Sequence, residues 1–161
     1  MTPRRARAPR GQRAHGAVPR NRGGNTTLIA ALSLGGLGPA MTLPGAADRP
    51  AFIAYVREVL APALMPGQVV VRDNLSVHKG AAIRRLIAAR GCRLLFLPPY
   101  SPDFAPIAHA FGKRKAALRR AGARTHAALD TAIAAALDAI TAQDASGWFR
   151  HCGYHPPGQS F

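Results

Sequence analysis

A chain of 161 residues is one ordinary domain and not comfortably two. With 48% of residues apolar it has material for a core, which excludes wholesale disorder. Twenty-two Lys and Arg stand against seven Asp and Glu, for a formal charge of +15. No apolar run approaches the roughly 20 residues of a membrane span. No apolar stretch follows close behind the Arg-rich start, so a secretory leader is not expected, and a cytoplasmic, DNA-associated location is. Cys92 and Cys152 match no metal-ligand spacing and make no disulfide framework.

The cations are unevenly chosen and placed. Only Lys79, Lys113 and Lys115 are lysine. No acid precedes Asp48, whereas Arg4, Arg5, Arg7, Arg10, Arg13, Arg20 and Arg22 all do. Guanidinium forks match phosphate better than ammonium groups, so a polyanion is the expected partner. GC-rich codon usage also enriches Arg and Ala, but it does not thin out acids.

Residues 1–25 are Arg, Pro and Gly without periodicity and read as a basic arm. Thr26 to Leu34 and Pro39 to Leu43, split by Gly35, Gly36 and Gly38, read as an antiparallel hairpin. Asp48 followed by Pro50 starts a helix, with Phe52, Val56, Val59 and Leu60 on one face and Pro62 near its end. Val69 to Arg72 is a buried-type strand closed by Asp73-Asn74. A helix over Lys79 to Arg90 and a strand over Arg93 to Leu97 complete a βαβ unit, hence a parallel pair. The loop from Pro98 to Pro102 precedes a helix from Pro106 to about Arg120. Another helix spans Thr125 to Ile140. Thr141 with Asp144 caps a last one carrying Trp148 and Phe149, read as packing residues. The order predicts an α/β fold, a mixed sheet flanked by helices, with one strand fewer than such a sheet needs.

Asp73 stands at the carboxyl end of a strand, where ligand and metal sites of such sheets gather, although an Asp there also caps turns. Its neighbours carry more information: DNLSVHK at 73–79, with His78 and Lys79, then LPPYSPDFAPIAHAF at 97–111. Over residues 9–154 the chain resembles the DDE-type transposases of bacterial insertion sequences related to the mariner elements. That family pattern is a strand ending in Asp-Asn, a nearby His, a Pro-Pro-Tyr-Ser-Pro loop, and Asn-Pro-Ile-Glu opening a helix.

The resemblance implies a ribonuclease H-like fold, DNA as partner, and strand cleavage and transfer with Mg²⁺. Two such cations about 4 Å apart are held by carboxylates from the first strand, the fourth strand and a late helix. Asp73 matches the second acid, a metal ligand. The third falls at Ala108, 34 residues lying between, and Ala105 replaces the family's Asn. His109 is rotated about 100° along a helix from that position and imidazole is a poor Mg²⁺ ligand. Asp103 is expected to cap the following helix instead. The first acid and its strand would precede Pro9-Arg10-Gly11, where residues 1–8 hold no acid. A truncated, decayed catalytic domain over residues 26–154 with a tail at 155–161 is therefore expected, without productive Mg²⁺ binding. His78, Lys79, Lys113, Arg114, Lys115, Arg119 and Arg120 join Arg4, Arg5, Arg7, Arg10 and Arg13 as expected DNA contacts. Two alternatives stay open: a nonenzymatic basic nucleic-acid-binding protein, or the downstream half of a frameshifted transposase that pairs with its upstream half or with itself.

Overall fold

A computed structural model describes residues 7–15, 24–73, 80–123 and 125–155. Residues 7–15 are exposed around one turn, in which the Gln12 N–H donates to the Pro9 carbonyl. Strands β1 (Thr26–Ser33) and β2 (Gly36–Pro44) form the expected antiparallel hairpin, with Ile29 opposite Met41 and a bulge between Ala30 and Leu32. β2 starts three residues earlier than its apolar run suggests. Gly36 lies at φ 122°, and a Cβ there would stand 3.0 Å from the Ile140 carbonyl oxygen. A glycine that reads as a turn is a strand residue pressed against the end of a distant helix.

Helix α1 (Arg49–Tyr55) is capped by Asp48, whose carboxylate accepts from the Ala51 N–H at 2.8 Å. It runs on through one wide turn, Val56–Leu60, into the short α2 (Ala61–Ala63). The Ala61 N–H reaches back five residues to the Val56 carbonyl. Pro62 accounts for the widening, since it has no N–H and its ring crowds the carbonyl four residues before. Phe52, Tyr55, Val56 and Leu60 form one buried stripe along this helix.

β3 (Val69–Arg72), α3 (Ala81–Ala88) and β4 (Arg93–Phe96) form the βαβ unit, with β3 and β4 parallel and in register from Val69 opposite Arg93 to Arg72 opposite Phe96. The expected start of α3 at Lys79 lies outside the described residues. Ile83 and Ile87 of α3 are fully buried. They join the helical stripe and Cys92 in one core, on which Ile29, Ala31 and Met41 of the hairpin and Val70 and Leu94 of the parallel pair also pack.

Helices α4 (Pro106–Ala121) and α5 (His126–Asp138) build a second core from Leu118, Ile133 and Ala136, against which Leu28 packs from the hairpin. Gly122 in the left-handed conformation ends α4, and the Thr125 side chain caps α5. α6 (Ala142–His151) opens with a complete capping box between Thr141 and Asp144. The molecule is thus a mixed α/β fold with small sheets, consistent with part of a ribonuclease H-like domain. The antiparallel and parallel pairs both form, but among the described residues they are two separate two-stranded ladders, not one bonded sheet. Among the described residues no helix is long and apolar enough to cross a membrane.

Ile87 has no exposed surface, so Ile87→Ala leaves a cavity that neighbours fill only in part. Its cost is expected at about 2–5 kcal/mol in urea unfolding. A loss below about 1 kcal/mol would place Ile87 outside the core.

Candidate functional site

Asp73 follows the last residue of β3 and is exposed. The Leu97 N–H donates to the Arg72 carbonyl at 2.6 Å, so the chain leaving β4 quits the ladder at the edge where Asp73 sits. Arg72 turns inward: its guanidinium carbon lies 3.9 Å above the Phe52 ring centre. Burial pulls the Arg72 pKa down to about 10, and the nearby Asp73 carboxylate and Tyr55 phenol partly oppose this. Tyr55 donates its hydroxyl to the Pro39 carbonyl at 2.8 Å, and burial pushes its pKa up to about 12.

Beyond Leu97 the loop is stiffened by Pro98, Pro99 and Pro102, and the Ser101 hydroxyl donates to the Pro99 carbonyl at 3.3 Å. Tyr100 within it adopts φ 57°, a left-handed backbone, with its side chain fully exposed. One tight 3₁₀ turn, Pro102–Phe104, then leads into α4. Ala105 is the N-cap of α4, which makes Pro106 the first helical residue and Ala108 the third. No side chain caps this end, no acid lies in the first turn, and the Ala108 N–H bonds only the Ala105 carbonyl at 2.9 Å.

Asp103 does not cap α4 as its position in the sequence suggests. It lies inside the 3₁₀ turn, two residues before the N-cap Ala105, and its field reaches Cys152. Burial chiefly, then Asp103, raises the pKa of that thiol. The same turn is tied to the chain end by the Tyr154 hydroxyl, which donates to the Phe104 carbonyl at 2.8 Å. His109 faces α6: its ring stacks on Trp148 at 6.3 Å and meets the His151 ring edge-on at 5.1 Å.

The donor set among the described residues does not fit a pair of hard cations. Alanine at 108 offers no oxygen. Among the described residues no group of three or more His, Cys, Asp or Glu stands close enough together to hold a metal ion.

The basic residues divide by environment. Lys113 pairs with Asp144 at 2.5 Å, locking α4 to the start of α6. Arg114 folds back over the Phe111 ring at 4.7 Å, and burial lowers its pKa. Its Nε is buried and has no hydrogen-bond partner among the described residues. Lys115, Arg119 and Arg120 are exposed, as are Arg7, Arg10 and Arg13. Arg4, Arg5, His78 and Lys79 lie outside the described residues. Sequence reasoning missed the Arg72–Phe52 stack and the Lys113–Asp144 pair. The capping role of Asp144 is visible in sequence, but a partner 31 residues away is not.

A sequence profile described as DDE superfamily endonuclease matches residues 1–130, taking in β3, Asp73, the proline loop and position 108. No curated protein matches the chain.

The carboxyl of Asp144 is held down to about 2, first by Lys113 and then by the Thr141 backbone N–H. Its folded pKa is below its ordinary value of 3.8, so its stabilisation is present above about pH 4 and is lost as pH falls toward 2. Urea midpoints measured from pH 6 to pH 2 should fall more steeply for the natural chain than for Lys113→Met. Equal slopes would mean the pair does not hold α6.

The vacant cap of α4 gives a second expectation. Ala105→Asn supplies an acceptor for the first-turn N–H groups and should stabilise the domain by about 1 kcal/mol in the same assay.

Proposed function

Because the chain belongs to the DDE superfamily of endonucleases, we propose that it is a transposase-derived domain that binds DNA and does not cut it. Domains of this family act on DNA with divalent metal. The ancestral reaction is strand cleavage and transfer by an insertion-sequence transposase of the mariner-related kind. On this reading residues 26–154 are the catalytic-domain remnant, residues 1–25 a basic arm and residues 155–161 a tail. The protein works on DNA in the cytoplasm.

The observation that carries the reading is Ala108 at the third helical position of α4, with no acid in that first turn. Asp73 matches one family acid, and with alanine at 108 it lacks the late-helix carboxylate needed to set two cations against one phosphate. The charge supports retained binding: +15 overall, with Lys115, Arg119 and Arg120 exposed on the last turns of α4. Lys113 and Arg114 are engaged within the protein, so the phosphate-facing part of that run is three cations, not five.

The test uses the purified chain with supercoiled plasmid and labelled duplex. No nicked or joined product should form in Mg²⁺ or Mn²⁺. Binding should weaken with salt, log affinity falling by roughly 0.9 per phosphate contact against log salt. Ala108→Glu should raise Mn²⁺ affinity without restoring strand transfer, because effects within a catalytic unit are strongly non-additive. Metal-dependent cleavage by the natural chain that Asp73→Ala abolishes would falsify the silent-enzyme reading. Absence of binding at low salt would remove the DNA-binding half.

A further inference from the structure

The proline loop carries a feature that the fold does not use. Tyr100 adopts φ 57°, a conformation that a bulky side chain takes only under strain. Such strain is ordinarily compensated by packing, yet this ring is fully exposed. The other two tyrosines behave differently. Tyr55 and Tyr154 each donate their hydroxyl to a backbone carbonyl, and each ring meets another aromatic ring. Tyr100 makes no such contact among the described residues.

We propose that Tyr100 is a base-stacking prong: its ring packs against the face of an unstacked nucleobase in DNA held at the Asp73 edge. The inference rests on the DNA-binding reading above and names the form of DNA recognised there. Three observations support it. The loop leaves the ladder beside Asp73, because Leu97 bonds the Arg72 carbonyl. Pro99 before Tyr100, Pro102 after it and the Ser101–Pro99 hydrogen bond restrain the backbone that carries the ring, so the loop has little freedom to lose on stacking. A neutral aromatic face has nothing to offer a phosphate but stacks on any base. Duplex DNA hides its base faces in the stack, so the recognised base is single-stranded or turned out.

The experiment compares the full chain with Tyr100→Ala, Tyr100→Phe and Tyr100→Gly on a single-stranded oligonucleotide containing 2-aminopurine and on a duplex of equal length. Tyr100→Ala should weaken single-strand binding roughly tenfold, leave the salt slope and duplex affinity unchanged, and abolish 2-aminopurine quenching. Tyr100→Phe should restore all three, since the ring and not the hydroxyl stacks. Tyr100→Gly should unfold at the same or higher urea, because glycine accepts this backbone, yet bind single strands as weakly as Tyr100→Ala. A merely structural tyrosine would instead lose stability in the glycine variant. Unchanged single-strand affinity in Tyr100→Ala overturns the prong, as does an equal loss on duplex and single strand. If the natural chain binds no DNA at all, the DNA reading itself has failed, an outcome distinct from normal binding by Tyr100→Ala.

Discussion

The two ladders share no hydrogen bond among the described residues, and one helical segment, residues 49–63, holds them in one molecule. Its stripe points both ways. Tyr55 reaches the hairpin through the Pro39 carbonyl, and Phe52 lies under the Arg72 guanidinium at the end of β3. The rings of Phe52 and Tyr55 stand 5.9 Å apart, so the two attachments meet in one aromatic contact. Burial leaves the Arg72 cation poorly solvated and lowers its pKa, and the ring face beneath it offsets part of that cost. The placement of Asp73, one residue on, follows from this joint. The wide turn at Val56–Leu60 belongs to it too, because Pro62 forces the helix open while Val56 and Leu60 stay buried.

Most of this architecture is legible in the sequence because it is local. The apolar spacing of residues 52–60, the β-branched run at 69–71 and the Thr141–Asp144 pair each declare an element within a few residues, and the structure forms all three, although the run expected as a buried strand leaves Val69 and Val71 exposed. What was not legible depends on distance along the chain. Gly36 reads as turn punctuation, yet it is a strand residue because Ile140, more than 100 positions later, passes against it. The run from Lys113 to Lys115 reads as one charged face. Its members diverge because Asp144 claims the first and the ring of Phe111 the second. Asp103 has the right chemistry for a cap, but the 3₁₀ turn places Ala105 in that position.

The family motif at the start of α4 carries two functions in the same residues. Asn and Glu three apart, around Pro and Ile, occupy the N-cap and third helical positions, which are the positions of a capping pair. The Glu is also the third metal acid that the resemblance implies. This chain has alanine at both, so it offers neither the cap acceptor nor the carboxylate that the resemblance implies there. The helix still starts because Pro106 fixes the first turn and the Ala108 N–H finds the Ala105 carbonyl.

Catalysis and affinity place opposite demands on that edge. Carboxylates gathered around a scissile phosphate repel it, and a DDE site admits DNA because cations neutralise the repulsion. Each acid replaced by alanine lowers the capacity to hold metal and also lowers the charge barrier to the phosphate backbone. With no acid in the first turn of α4, the positive end of that helix has no compensating carboxylate there. On the proposed reading, loss of metal binding and retention of DNA affinity are linked outcomes of the same substitution, and the +15 charge amplifies the second of them.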